Sequence, residues 1–217
     1  MNPPGHTVRA MAFLATIAIA GCTTSAQVPA GAPSPSPAAG ALSSRPPRSE
    51  ADVQFMSGMI PHHAQAVLIA GWAASHGARA DVRVLCERIV VGQRDEIVLM
   101  QSWLRERGEV VPAATATHIR MKMNGMEHDM LMPGMLNEEQ LAQLDKAKGS
   151  EFDRLFLLAM IGHHEGAITM VDALFGAKDA AQDDVVYRFA SDVYADQTTE
   201  IERMQKILAT VTAGGRN

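Results

Sequence analysis

The chain has 217 residues, with 19 Lys and Arg against 24 Asp and Glu, a formal charge of −5. That balance offers no basic face and argues against nucleic acid as a partner. Two cysteines leave little room for a disulfide framework, whereas the 14 methionines are an excess that is not spread evenly.

The chain opens with "MNPPGHTVRA", carrying Arg9, and then the apolar run "MAFLATIAIA", too short for a permanent membrane helix. The run ends in "IAGC". An aliphatic residue, two small residues and a cysteine resemble a bacterial lipoprotein signal over 1–21, with lipid on Cys22. The alternative is an ordinary secretory signal cleaved nearby, and either reading exports the protein. Residues 22–48 are rich in Pro, Ala and Ser with no apolar period, which predicts a flexible tether. Residues 49–217 are enough for one domain with a core.

That domain repeats itself. "DVQFMSGMIPHHAQAVLIA" (52–70) overlies "DRLFLLAMIGHHEGAITMV" (153–171), so that Asp52 meets Asp153, Met59 meets Met160, and His62 and His63 meet His163 and His164. A second pair of blocks overlies "VGQRDEIVLMQSWL" (91–104) on "ADQTTEIERMQKIL" (195–208). Gln93, Glu96 and Met100 then meet Gln197, Glu200 and Met204. Apolar residues recur at three- and four-residue steps in each block (Phe55, Met59, Ala66, Ala70; Ile89, Ile97, Met100, Leu104), which is helical periodicity. Two tandem helical hairpins predict an all-α, up-down four-helix bundle with a pseudo-twofold axis. Asn137 is a plausible N-cap in the region between them, with Gln140 at the capping-box position.

Nothing in fold construction asks for adjacent imidazoles. Neighbouring helical residues point about 100° apart, so His62 and His63 cannot face one spot. Met59 lies three and four residues before them, and its thioether can reach either ring. Each half therefore offers a thioether (Met59, Met160), imidazoles (His62 and His63, His163 and His164) and an earlier carboxylate (Asp52, Asp153). The partner helices add Gln93, Glu96 and Met100, and Gln197, Glu200 and Met204, either as ligands or as acceptors that fix the imidazole tautomers. Pro61 and Gly162 precede the two pairs and read as a local bend that aims them; the alternative is that Pro61 opens a helix. Cys86 reads as a small core residue, and His76 as a solvated turn residue.

Between the halves, "HIRMKMNGMEHDMLMPGM" (118–135) holds Met121, Met123, Met126, Met130, Met132 and Met135 with His118 and His128. Thioethers are soft ligands that favour Cu(I), and Ag(I) follows the same chemistry. The competing reading is adaptable packing or an oxidant sink.

"FMSGMIPHHAQA", "FLLAMIGHHEGA" and the MPGM connector resemble a bacterial family of exported proteins catalogued as a domain of unknown function. The resemblance covers about residues 50–211. It implies a ferritin-like four-helix bundle, and copper binding as in some members. By that resemblance Met59, His62, His63, Met160, His163 and His164 are candidate metal ligands, with the connector methionines beside them. Where the family often has a Met seven residues after the first His, Met170 keeps it and Ile69 does not, which predicts asymmetric sites.

The expectation is a lipid-anchored protein of the cell envelope, on its periplasmic or extracellular face. It binds Cu(I), and by extension Cu(II) or Ag(I), for buffering, tolerance or delivery to a copper-transfer partner, without catalysis. One alternative is a di-iron or di-manganese oxidase in a ferritin-like bundle, but no Glu-x-x-His precedes either pair. Another is a non-metal interaction module whose histidines form a pH-responsive polar core.

Overall fold

In a computed structural model the described residues are 48–123 and 126–214, with side chains described outside 119–129. The expected signal segment, Cys22 and the tether up to residue 47 lie outside them. So do the side chains of Met121, Met123, Met126 and His128.

The first hairpin is α1 (Glu50–Ala70) and α2 (Ala80–Glu106); the second is α4 (Ser150–Gly176) and α5 (Asp184–Gly214). Helix α1 starts on a capping box in which Asp52 N–H donates to Ser49 Oγ at 3.0 Å and Ser49 N–H donates to Asp52 Oδ2 at 2.9 Å. Such a cap contributes about 1 kcal/mol. Pro61 lies inside α1 and does not open a helix. Its missing N–H removes one intrahelical bond just ahead of the histidines. Helix α1 packs on α2, α4 on α5, and α1 on α4, whereas α2 and α5 make no comparable contact. The result is the expected four-helix bundle. No helix among the described residues is long and apolar enough to cross a membrane.

The core is divided in two. One apolar cluster joins Phe55, Met59 and Ile60 of α1 to Met100 and Trp103 of α2, Val171 and Leu174 of α4, and Phe189 of α5. The other joins Ile69 of α1 to Leu85 and Ile89 of α2, Phe152, Phe156 and Met160 of α4, and Met204 of α5. Helices α1 and α4 run antiparallel and exchange clusters at their midpoints. There the buried residues turn polar: His62, His63 and Gln65 on α1, His163 and His164 on α4, Gln93 on α2 and Gln197 on α5.

The connector holds an unanticipated antiparallel ribbon, β1 (Ile119–Met123) and β2 (Met126–Met130), whose register pairs Met121 with His128 and Met123 with Met126. A short helix, α3 (Glu138–Lys146), follows on the predicted Asn137/Gln140 capping box.

One expectation changes. His76 is not solvated: it is 5% exposed, stacks on Trp72, and places Nε2 2.9 Å from the Asp145 carbonyl oxygen. It ties the first hairpin's turn to the end of α3. Asp52 and Asp153 each lie against a hairpin turn. Asp52 Oδ1 accepts from Ala181 N–H at 2.7 Å, in the turn of the second hairpin. Asp153 Oδ1 accepts from Arg79 N–H at 3.2 Å, in the turn of the first. Each hairpin thus closes the other's turn. Cys86 is buried and free, as a core residue should be.

Candidate metal centre

Helices α1 and α4 meet where the repeated histidines lie. The His62 and His163 ring centroids are 3.8 Å apart, with planes tilted by 42°. Within each pair the rings diverge, at 6.2 Å for His62 and His63 and 6.3 Å for His163 and His164. This is the helical geometry of adjacent residues. One histidine of each pair faces across to the other hairpin, and the other turns outward to its own partner helix. All four are essentially inaccessible to solvent.

The outward rings meet the glutamates. His164 Nε2 lies 2.7 Å from Glu200 Oε2 and donates to it, because a carboxylate only accepts. His63 Nε2 lies 2.6 Å from Glu96 Oε2 but out of line for a hydrogen bond. Glu200 therefore accepts from its imidazole, and Glu96 lies beside the corresponding ring of the first half. On the inward side, His62 Nε2 donates to the Pro133 carbonyl at 3.0 Å. With Nε2 committed in His62 and His164, Nδ1 of each carries a lone pair. Neither Nδ1 has a hydrogen-bond partner, nor does Nδ1 of His63 or either nitrogen of His163. Native interiors leave few such atoms unpaired, and here they gather in one layer. Met59 and Met160 are fully buried one helical turn before the imidazoles, and Met100 and Met204 are buried in the flanking clusters.

Electrostatics keep the inner pair neutral. Burial, reinforced by His63, lowers the His62 pKa from 6.5 to about 3. Burial and His62 hold His163 well below the ordinary value. A neutral imidazole with a free lone pair is the form that binds metal.

The connector closes one side of this layer. Gln65 clasps Leu136 at both ends: its Nε2 donates to Leu136 O at 2.9 Å, and Leu136 N–H donates to its Oε1 at 2.7 Å. The turn Met132–Met135 then presses onto α4. A Cβ at Gly166 would fall 2.0 Å from the Pro133 oxygen, and one at Gly134, where φ is +79°, would fall 2.5 Å from the Gly162 oxygen. Only glycine permits that approach. Met135 is 8% exposed and its Sδ accepts from Met132 N–H at 3.2 Å. Met132 is half-buried, while Met130 is exposed. Of the connector methionines whose side chains are described, Met132 and Met135 flank Pro133, whose carbonyl meets His62, while Met130 lies exposed in β2.

The opposite side is open. A cleft of about 220 Å³ lies between α2 and α5, lined by Gln93, Glu96, Asp196, Gln197 and Glu200 among others. Gln93 Oε1 and Gln197 Oε1 are buried without partners. Burial, then Glu96, Glu200 and Asp192, push the Asp196 carboxyl up. Among the described residues no three His, Cys, Asp or Glu side chains surround a common point.

Gln65, Gly134, Gly166 and the Pro133 carbonyl were not singled out in the sequence. Comparing the halves supplies a signal for two of them, because Gln65 and Gly166 hold the same repeat position with unlike residues.

A sequence profile described only as a domain of unknown function, DUF305, matches residues 52–208. A Streptomyces coelicolor protein described as a candidate secreted member of that family is 25% identical, with a TM-score of 0.62, over 75% of this chain and 94% of its own. CopM in its Cu(II)-bound form is 26% identical, with a TM-score of 0.56, over 73% of this chain and 96% of its own. The uncharacterised protein L153 of Acanthamoeba polyphaga mimivirus is 36% identical over 56 residues, and the chain spans 37% of that relative's length.

Proposed function

The chain belongs to the DUF305 family, and from that premise we propose that it is an exported metal-binding protein that captures copper at the histidine layer. The observation that carries this reading is the set of unpartnered, buried imidazole nitrogens on His62, His63, His163 and His164. Glu200 and the Pro133 carbonyl hold Nε2–H of two of these rings and leave their Nδ1 lone pairs facing the interior. A carboxylate or carbonyl holding the far nitrogen of a ligating histidine is the usual support of a metal site. CopM is described in a Cu(II)-bound form, and the S. coelicolor relative is described as a candidate secreted protein.

The cargo is Cu(I) first, because Met59 and Met160 are buried one turn before the imidazoles and offer soft thioethers, with Met132 and Met135 of the adjoining turn as further candidate donors. Ag(I) follows for the same reason, and Cu(II) through the imidazoles. In our reading the chain's own residues hold and release the ion without catalysis, for buffering, tolerance or transfer to a copper-carrying partner. Lipid on Cys22 anchors it to the cell envelope. The donor set is unlike that of a di-iron carboxylate oxidase, which needs a Glu-x-x-His from each of two helices.

The test is an anaerobic Cu(I) titration of the full chain against a chromophoric chelator, with Zn(II) and Fe(II) in parallel. Tight Cu(I) binding with weak Fe(II) binding is expected. Failure to compete for Cu(I), with Fe(II) retained and oxidised in air, would overturn the reading in favour of an oxidase.

A further inference from the structure

The histidine layer is closed on three sides. Apolar clusters pack above and below it. On the third side the Met132–Met135 turn is sealed by the Gln65–Leu136 clasp and by the backbone contact at Gly134 and Gly166. An ion that reaches the imidazoles needs a fourth side, and the α2–α5 cleft is that side. Glu96 and Glu200 are 23% exposed in their side chains while the histidines they touch are fully buried, so the two carboxylates span from solvent to imidazole.

Two further features suit passage rather than packing. Gln93 and Gln197 line the cleft, are more than nine-tenths buried, and hold carbonyl oxygens with no partner. Such oxygens can take over part of a cation's hydration shell. Gly92 also lines the cleft, inside α2, and a Cβ added there would meet nothing within 4 Å. Glycine weakens a helix interior, and no close packing requires it at this point. What it does is leave the mouth open, facing Asp196, its counterpart in the repeat. Arg88 and Arg203 also line the cleft, so its three carboxylates, Glu96, Asp196 and Glu200, outnumber its two cations by one.

We propose that the α2–α5 cleft is the port through which a metal cation reaches the four histidines, with Asp196, Glu96 and Glu200 drawing it in and Gln93 and Gln197 receiving it as it sheds water. This rests on the metal-binding reading and adds the route to it. Negative charge along a narrow cleft raises the rate of cation association, and that gain falls with ionic strength.

The experiment is stopped-flow transfer of Ag(I), a redox-silent probe, from a chromophoric chelator to the full chain at several salt concentrations. Gly92→Trp plugs the mouth without touching a ligand. It is expected to slow uptake by about tenfold or more at unchanged final stoichiometry, on the scale of a lost steering effect. Asp196→Asn, at an exposed position, is expected to slow uptake severalfold and to flatten its salt dependence. Uptake in folded Gly92→Trp at the wild-type rate overturns the port while leaving the metal centre intact. Absence of Ag(I) binding in the wild type overturns the metal centre and the port together.

Discussion

The two hairpins match at the bundle's centre and part company one step away from it. In the first, Gln65 reaches out and clasps the connector at Leu136. In the second, the same repeat position is Gly166, which yields its space to the Pro133 carbonyl. A duplicated frame thus presents one histidine layer to two different surroundings. One side is a thioether-bearing turn held by a glutamine and fitted to a glycine; the other is a carboxylate- and amide-lined cleft. Doubling builds the histidine layer, and the departure from doubling gives it a closed side and an open side.

Exchanging the two residues tests that comparison most severely. Gly166→Gln is expected to destabilise the fold by more than about 3 kcal/mol, because its Cβ meets backbone rather than a mobile side chain. Gln65→Gly removes two buried hydrogen bonds and leaves Leu136 unpaired, and is expected to cost about 2–4 kcal/mol. Urea unfolding measures both, and a change below 1 kcal/mol in either would contradict the docked turn.

Next comes the inner pair. His163→Ala removes a ring whose nitrogens have no partner, so it should lower Cu(I) affinity roughly a hundredfold, on the scale of losing one soft-site ligand or its support. Helix content by circular dichroism should hold. His62→Ala should weaken binding comparably but also free the Pro133 carbonyl, and so cost more stability than His163→Ala. Equal stability in the two variants would remove the distinction between the hairpins.

Acidity sharpens the same point. Unfolded His62 takes up a proton near pH 6.5, but the folded ring does so only near pH 3. Between these values the unfolded chain binds more protons, so the metal-free protein should lose stability steadily as pH falls from about 6.5 toward 3. His163 acts in the same direction. Denaturant midpoints across that range measure the slope, and His163→Ala should flatten it.

The smallest expected effect lies at the helix starts. Ser49→Ala should cost about 1 kcal/mol by chemical denaturation. The second hairpin has no such cap to lose, since α4 begins after Gly149 with no side-chain bond.

Much of this was legible in the sequence for a physical reason. Helical period and internal repetition are local patterns, so the bundle and the equivalence of His62 and His63 to His163 and His164 on its repeated helices followed from them. The 100° step between adjacent residues also said that each pair must divide. Which ring crosses to the other hairpin depends on how α1 meets α4, and that is tertiary. The ribbon is less legible: "IRMKM" and "MEHDM" alternate with period two, but over only five residues each, and the same methionines also read as soft metal donors. Asp52 and Asp153 were weighed as ligands because they recur with the histidines. They recur because each closes a turn in the opposite hairpin.

That exchange of turn contacts bears on how the chain folds. Neither hairpin completes its own bend: Arg79 N–H waits for Asp153, and Ala181 N–H waits for Asp52. An isolated half leaves a backbone donor in its turn unmatched, so each half gains its last contacts only when the other arrives. The two halves should therefore melt as one cooperative unit. The amides of Arg79 and Ala181 should exchange with solvent only when the hairpins part, which makes them natural reporters of the moment the histidine layer comes together.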